Sequence, residues 1–173
     1  CWIGSPYPAQ GIEFIVNLSK IMKDYQFTLI GTPLPAWKIW YENIKFKAPK
    51  NVKFMEAVPP IKLGINIKNH AAGIIPRDET LPNNSIALPN KFFEYLANGK
   101  PIISTEFNEF NRFIEKNDFG VKIFYKNLEK SKENIYQDLP RILKKNDTRD
   151  KIVVTSLWSS ENDKIKNLIT KLK

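Results

Sequence analysis

The stretch of this sequence most suited to chemistry runs Leu88-Pro89-Asn90-Lys91-Phe92-Phe93-Glu94-Tyr95-Leu96-Ala97-Asn98-Gly99-Lys100-Pro101-Ile102-Ile103-Ser104. It reads as a turn, a helix over Asn90 to Asn98, a Gly99-Lys100-Pro101 breaker and a buried strand. The amino end of such a helix offers unpaired backbone N–H groups and a partial positive charge, which together seat an anion such as a diphosphate. Glu94 lies one turn further in, where a carboxylate can accept hydrogen bonds from vicinal hydroxyls such as those of a ribose. The competing reading makes Glu94 a solvated helix residue and the stretch an ordinary crossover.

A diphosphate buried without a full cation is poorly compensated, so a Lys or Arg is expected beside it. Two are placed for this: Lys91 at the helix start and Arg77 directly after the apolar run that ends at Pro76. Arg77 could instead pair at the surface with Asp78 or Glu79, and Lys91 could be solvated. His70 has no neighbouring Cys or second His, so a structural role is expected and no metal site. Trp37 and Trp40, three residues apart, read as packing and not as a base-stacking platform. No Gly-x-Gly-x-x-Gly or Walker loop occurs, which argues against dinucleotide oxidoreductases and phosphoryl-transfer machines.

These residues need a scaffold, and the pattern around them supplies one. Short uninterrupted apolar runs at Trp2 to Gly4, Phe27 to Gly31, Val52 to Met55, Ala72 to Ile75, Pro101 to Ser104 and Val121 to Phe124 read as strands covered on both faces. Between the first two, Ile12, Ile15, Leu18 and Met22 recur at helical spacing, so Gly11 to Lys23 is an amphipathic helix. Further helices are expected at Ala36 to Asn43, Pro60 to Asn69, Phe110 to Lys116 and Lys130 to Lys145, the last kinked or restarted at Pro140. A terminal helix is expected over about 150–172, through Val154, Leu157, Trp158 and Leu168. The fold class is therefore α/β: a Rossmann-like, doubly wound parallel sheet of about six strands in a single domain over 1–173. Such sheets bind ligands at the carboxyl ends of their strands.

The apolar fraction of 42% and charged fraction of 26% are those of a globular chain. No apolar run approaches the roughly 20 residues of a membrane-spanning helix. One cysteine, Cys1, excludes an internal disulfide and suits a reducing compartment, so a cytoplasmic location is expected. The charge of +9 is carried mostly by scattered Lys, the pattern of solvated faces and not of a nucleic-acid surface. Lys-rich Asn43 to Lys53 and the tail from Lys164 are candidates for peripheral contact with an anionic membrane at its inner face. The opening on Cys1, without Met, points to a fragment whose partner segment lies upstream.

The Pro89 to Ser104 string is similar to the signature of group 1 glycosyltransferases with the GT-B fold, in their carboxyl-terminal half. Gly4 followed by Gly11-Ile12 resembles that family's first strand and loop, and Phe27 to Pro33 its strand ending in Gly. Asn51-Val52-Lys53-Phe54, Ala72 to Pro76 and Ser156-Leu157-Trp158 resemble later landmarks in the same order. The resemblance implies that Glu94 holds the ribose of a nucleoside-diphosphate sugar, UDP- or GDP-linked. It further implies that Pro89, Asn90 and Lys91, with Gly4, Ser5 and Gly11 of the first loop, surround the phosphates. It implies no metal or other cofactor, and an acceptor, a glycan or a lipid-linked glycan, held by an amino-terminal domain absent from the chain. Two departures stand out. The family often has a Glu near the donor hexose where this chain has Ile86, and a Lys before Gly11 where it has Gln10. Either the donor differs or the charges have moved, and Arg77 and Lys91 are the candidate catalytic cations.

The reading is thus the donor-binding half of a hexosyltransferase, retaining in outcome, for surface polysaccharide. Three rivals are an epimerase of the same architecture, a degenerate interaction domain and a basic nucleic-acid binder.

Overall fold

The computed structural model describes residues 1–78, 81–82, 84 and 88–156. Among the described residues six strands form: β1 Trp2–Ile3, β2 Phe27–Ile30, β3 Val52–Met55, β4 Gly73–Ile75, β5 Ile102–Ser104 and β6 Gly120–Lys122. These strands pair in parallel, in two ladders, β1-β2-β3 and β4-β5-β6. The ladders meet where Ile74 N donates to Cys1 O at 2.8 Å, which sets β4 beside β1. The spatial order is therefore β3-β2-β1-β4-β5-β6, with the reversal between β1 and β4 that opens a crevice at the carboxyl edge. Successive strand residues face opposite sides, and every residue of β1, β4 and β5 is buried, so both faces are covered there.

Seven α-helices connect and follow the strands: α1 Ile12–Ile21, α2 Lys38–Lys47, α3 Pro60–Lys68, α4 Asn90–Ala97, α5 Asn108–Asn117, α6 Leu128–Ile142 and α7 Asn146–Ser156, counted among the described residues. The stripe expected on the first helix is the one that is buried: Ile12, Ile15, Leu18 and Met22 are each at most 1% exposed. Asn51 Nδ2 lies 2.9–3.0 Å from the carbonyls of Ser19, Met22 and Tyr25, tying the end of α1 to the start of β3. The helix α6 carries Pro140 in its last turn, ends at Ile142 and is followed by α7 from Asn146. A proline so near the carboxyl end costs one internal hydrogen bond and no more of the helix. The terminal helix starts at Asn146, ahead of the expected 150, and Leu157, Trp158 and the residues beyond lie outside the described residues. No helix among the described residues is long and apolar enough to cross a membrane.

Between β1 and β4 a side chain adds to the single backbone bond. Tyr95, fully buried on α4, accepts from Ile3 N and donates to Cys1 O, both at 3.1 Å. A hydroxyl can do both at once, so it satisfies Ile3 N, which strand pairing leaves open, and adds a second bond to Cys1 O, which already accepts from Ile74 N. Its ring covers Gly73, where a Cβ would lie 2.2 Å from ring atoms. This seam pins α4, and with it Lys91 and Glu94, onto the switch point.

Candidate functional site

The crevice is shaped by close backbone approaches at the strand ends. A Cβ on Gly31 would lie 1.8 Å from Gly4 O, and one on Gly11 would lie 2.0 Å from Pro76 O. Gly11 is also in the left-handed region, at φ 72°. It is buried and clasps the loop after β1 against the end of β4. Ser5 sits at the exposed rim, its hydroxyl 3.5 Å from Thr32 O.

From the other side comes α4. Pro89, extended at φ −76° and ψ 143°, precedes it, and no side chain caps it. The first amide to bond inward is Phe92 N, which donates to Pro89 O at 2.9 Å. Lys91 reaches from this first turn across the crevice: its Nζ donates to Gln10 Oε1 at 2.9 Å and stands 4.5 Å from the centre of the buried Trp2 ring. Gln10 Nε2 in turn donates to Tyr7 Oη at 2.8 Å. Burial, then the charge of Arg77, pushes the Lys91 ammonium far down from the lysine range to about 7, with Glu94 opposing.

Lys91 stands where two clefts join. The first, of about 290 Å³, is lined by Gly4, Gly31, Ala57, Val58, Leu63 and Glu94, with Asn90 at its edge. Its walls are mostly apolar and its carboxylate, Glu94, has no hydrogen-bond partner among the described residues. Burial raises the Glu94 carboxyl above its usual range, with Lys91 pulling the other way. The second cleft, of about 220 Å³, is lined by Tyr7, Gln10, Pro76, Arg77, Asn84 and Lys91, with Pro89 beside them. Arg77 N donates to Thr105 Oγ1 at 3.0 Å, and its guanidinium donates twice to Asn84 Oδ1, at 3.2 and 2.8 Å. The guanidinium carbon is also 5.8 Å from the centre of the Phe107 ring. Burial lowers the Arg77 pKa.

The structure thus gathers Gly4, Asn90, Lys91 and Glu94 on one cleft, and Pro89, Lys91 and Arg77 on the other. Glu79 and Ile86 lie outside the described residues. Trp40 Nε1 donates to Glu13 Oε1 at 3.1 Å and His70 Nδ1 lies 2.7 Å from Asn66 O, both away from the clefts. Among the described residues no group of three or more His, Cys, Asp or Glu side chains is placed to hold a metal ion. Sequence reasoning missed Tyr7, Asn84 and the Ala57-Val58 wall. It also missed that Gln10, noted as the lost cation of the first loop, is the partner of Lys91.

No family model and no curated protein matches the chain. Solved structures do match. Sucrose-phosphate synthase from Thermosynechococcus elongatus aligns with TM-score 0.72 at 16% identity over 99% of this chain and 45% of its own. Anabaena HepE in complex with UDP aligns with TM-score 0.70 at 11% identity, over 98% of this chain and 48% of its own. The fold is one Rossmann-like half of the GT-B fold. An S. aureus TarM variant in complex with fondaparinux, alpha-GlcNAc-glycerol and UDP aligns with TM-score 0.67 at 16% identity, over 96% of this chain and 34% of its own. This GT-B half therefore spans between a third and a half of the chains it matches.

Proposed function

We propose that this chain is the donor-binding half of a glycosyltransferase and that the crevice holds a nucleoside-diphosphate sugar. The observation that carries the reading is Lys91, which lies at the uncapped start of α4, at the junction of two clefts, with its ammonium on the first-loop residue Gln10. A planar base fits the apolar wall of Ala57, Val58 and Leu63, and the ribose hydroxyls reach the unpartnered Glu94 carboxylate. The diphosphate then lies against the α4 amides and Lys91, and the sugar enters the second cleft. A departing diphosphate gains negative charge as the glycosidic bond breaks. A half-buried ammonium beside that position stabilises the transition state more than the ground state.

The transferase acts on a hexose-type donor with retention, passing it to a glycan or lipid-linked acceptor for surface polysaccharide at the inner face of the cytoplasmic membrane. Support for this finer reading is the group 1 resemblance, and the acceptor belongs to a second half outside this chain. Calorimetric titration with UDP and GDP tests the core of it. One of them should bind, and Glu94→Ala should weaken that binding by about 1–3 kcal/mol, the cost of unpairing a charge-assisted hydrogen bond. Undiminished affinity in Glu94→Ala would remove the ribose assignment.

A further inference from the structure

Away from both clefts, α2 is apolar on its open side as well as on its covered one. Tyr41 and Ile44 face the core, whereas Ile39 and Phe46, two turns apart on the other side, are 80% and 91% exposed. By the same helical spacing Lys38 and Lys45 flank the open pair on one side and Lys47 flanks it on the other. The single carboxylate of the helix, Glu42, is held by Lys45 at 2.9 Å. Lys38, Lys47, Lys50 and Lys53 are exposed and make no ion pair among the described residues. No Asp or Glu occurs between Glu42 and Glu56, so the positive charge there is not offset along the chain.

Beside this face runs a groove of about 360 Å³ between α1 and α2, with Asn17, Lys20, Asn43 and Lys47 among its lining residues. Lys20 and Lys47 stand in the last turns of their helices, so the basic surface extends from α2 onto α1. None of Ile39, Phe46, Lys47 and Lys50 lines either donor cleft. Whatever covers this face must take apolar side chains at its centre and cations at its rim. A bilayer interface containing anionic lipid does both. Phe and Ile side chains enter the boundary between headgroups and acyl chains, while lysine stems lie along it and keep their ammonium groups among the phosphates. A second copy of this chain is a poorer match, because a two-fold contact through the face would set its lysines against their own images.

We infer that the outer face of α2 is the surface by which this chain docks on an anionic membrane, with Ile39 and Phe46 inserted at the interface and Lys38, Lys47 and Lys50 on the lipid phosphates. The inference deepens the membrane placement proposed above and does not rest on the donor cleft. The test is co-sedimentation of the 173-residue chain with vesicles at physiological ionic strength. Vesicles of phosphatidylcholine with about 30% phosphatidylglycerol are compared with vesicles of phosphatidylcholine alone, the anionic ones attracting each nearby lysine. The chain should bind the mixed vesicles at least about tenfold more tightly. Ile39→Ser with Phe46→Ser should weaken that binding at least about tenfold, the effect of withdrawing two apolar side chains from the interface. Lys47→Glu with Lys50→Glu should remove the preference for the anionic lipid. All four side chains are exposed, so these variants should keep the wild-type unfolding midpoint and the wild-type affinity for UDP or GDP. Absence of vesicle binding, equal binding to both compositions, or undiminished binding of the Ile39 and Phe46 variant overturns the inference. Self-association that this variant abolishes, without vesicle binding, also overturns it and gives the face to a second copy. Failure of the wild type to bind either nucleotide counts against the donor cleft and leaves the vesicle result standing.

Discussion

Replacing Lys91 by Met removes the ammonium and keeps most of the apolar stem over Trp2. In the structure the charge meets only neutral partners at short range, Gln10 Oε1 at 2.9 Å and the Trp2 ring at 4.5 Å, among the described residues. It is thus left to be matched by a ligand. A hydrogen bond to a charged group contributes about 1.5–3 kcal/mol, so K91M should weaken UDP or GDP binding about 10- to 100-fold. The pH dependence is the sharper test. Burial and Arg77 hold free Lys91 at about 7, and an adjacent diphosphate favours the ammonium, so the pKa in the complex is the higher of the two. Below about pH 7 the ammonium is present both free and bound, and its contribution is complete. As pH rises above that value the free protein loses the proton that binding requires, and affinity falls by at most about tenfold per unit until the pKa of the complex is passed. The terminal phosphate of the nucleotide, with its second pKa near ~6, is already ionised there. Calorimetry between about pH 7 and pH 9 should show affinity falling with proton uptake in the wild type, and neither in K91M. A flat profile in the wild type, or wild-type affinity in K91M, would refute the assignment of Lys91 to the phosphates.

Two further substitutions test how the site is held. Tyr95→Phe strips the hydroxyl that bridges Ile3 N and Cys1 O, leaving the buried Ile3 N unpaired while Cys1 O keeps its bond from Ile74 N, and should cost about 1–3 kcal/mol in urea unfolding. Unchanged stability would mean that the β1–β4 seam does not depend on it. Gly11→Ala must carry a Cβ at φ 72° and 2.0 Å from Pro76 O, so the first loop has to shift. A loss of about 2 kcal/mol or more is expected, and a variant with the wild-type unfolding midpoint would contradict the clasp.

Much of this architecture is local, and to that extent it can be read from the chain. The six strands are short runs of apolar residues, and β1 to β6 lie within a few positions of where those runs fall. The stripe of α1 and the breaker after α4 are equally local, because helical spacing and glycine or proline stops act over one or two turns. Glu94 and Lys91 were legible as candidates for the same reason: they belong to one helix start. The pairings that make a site of them were not. Lys91 meets Gln10 across 81 positions, and Tyr95 meets Cys1 across 94. Those distances close only when β4 lands beside β1, a choice made by crossover topology and core packing and not by any residue's own preference. Arg77 shows the same division. Its place after a strand end is written in the chain, whereas its companionship with Asn84, Tyr7 and Lys91 in one polar cleft exists only once the loops after β1 and β4 are clasped through Gly11 and Pro76.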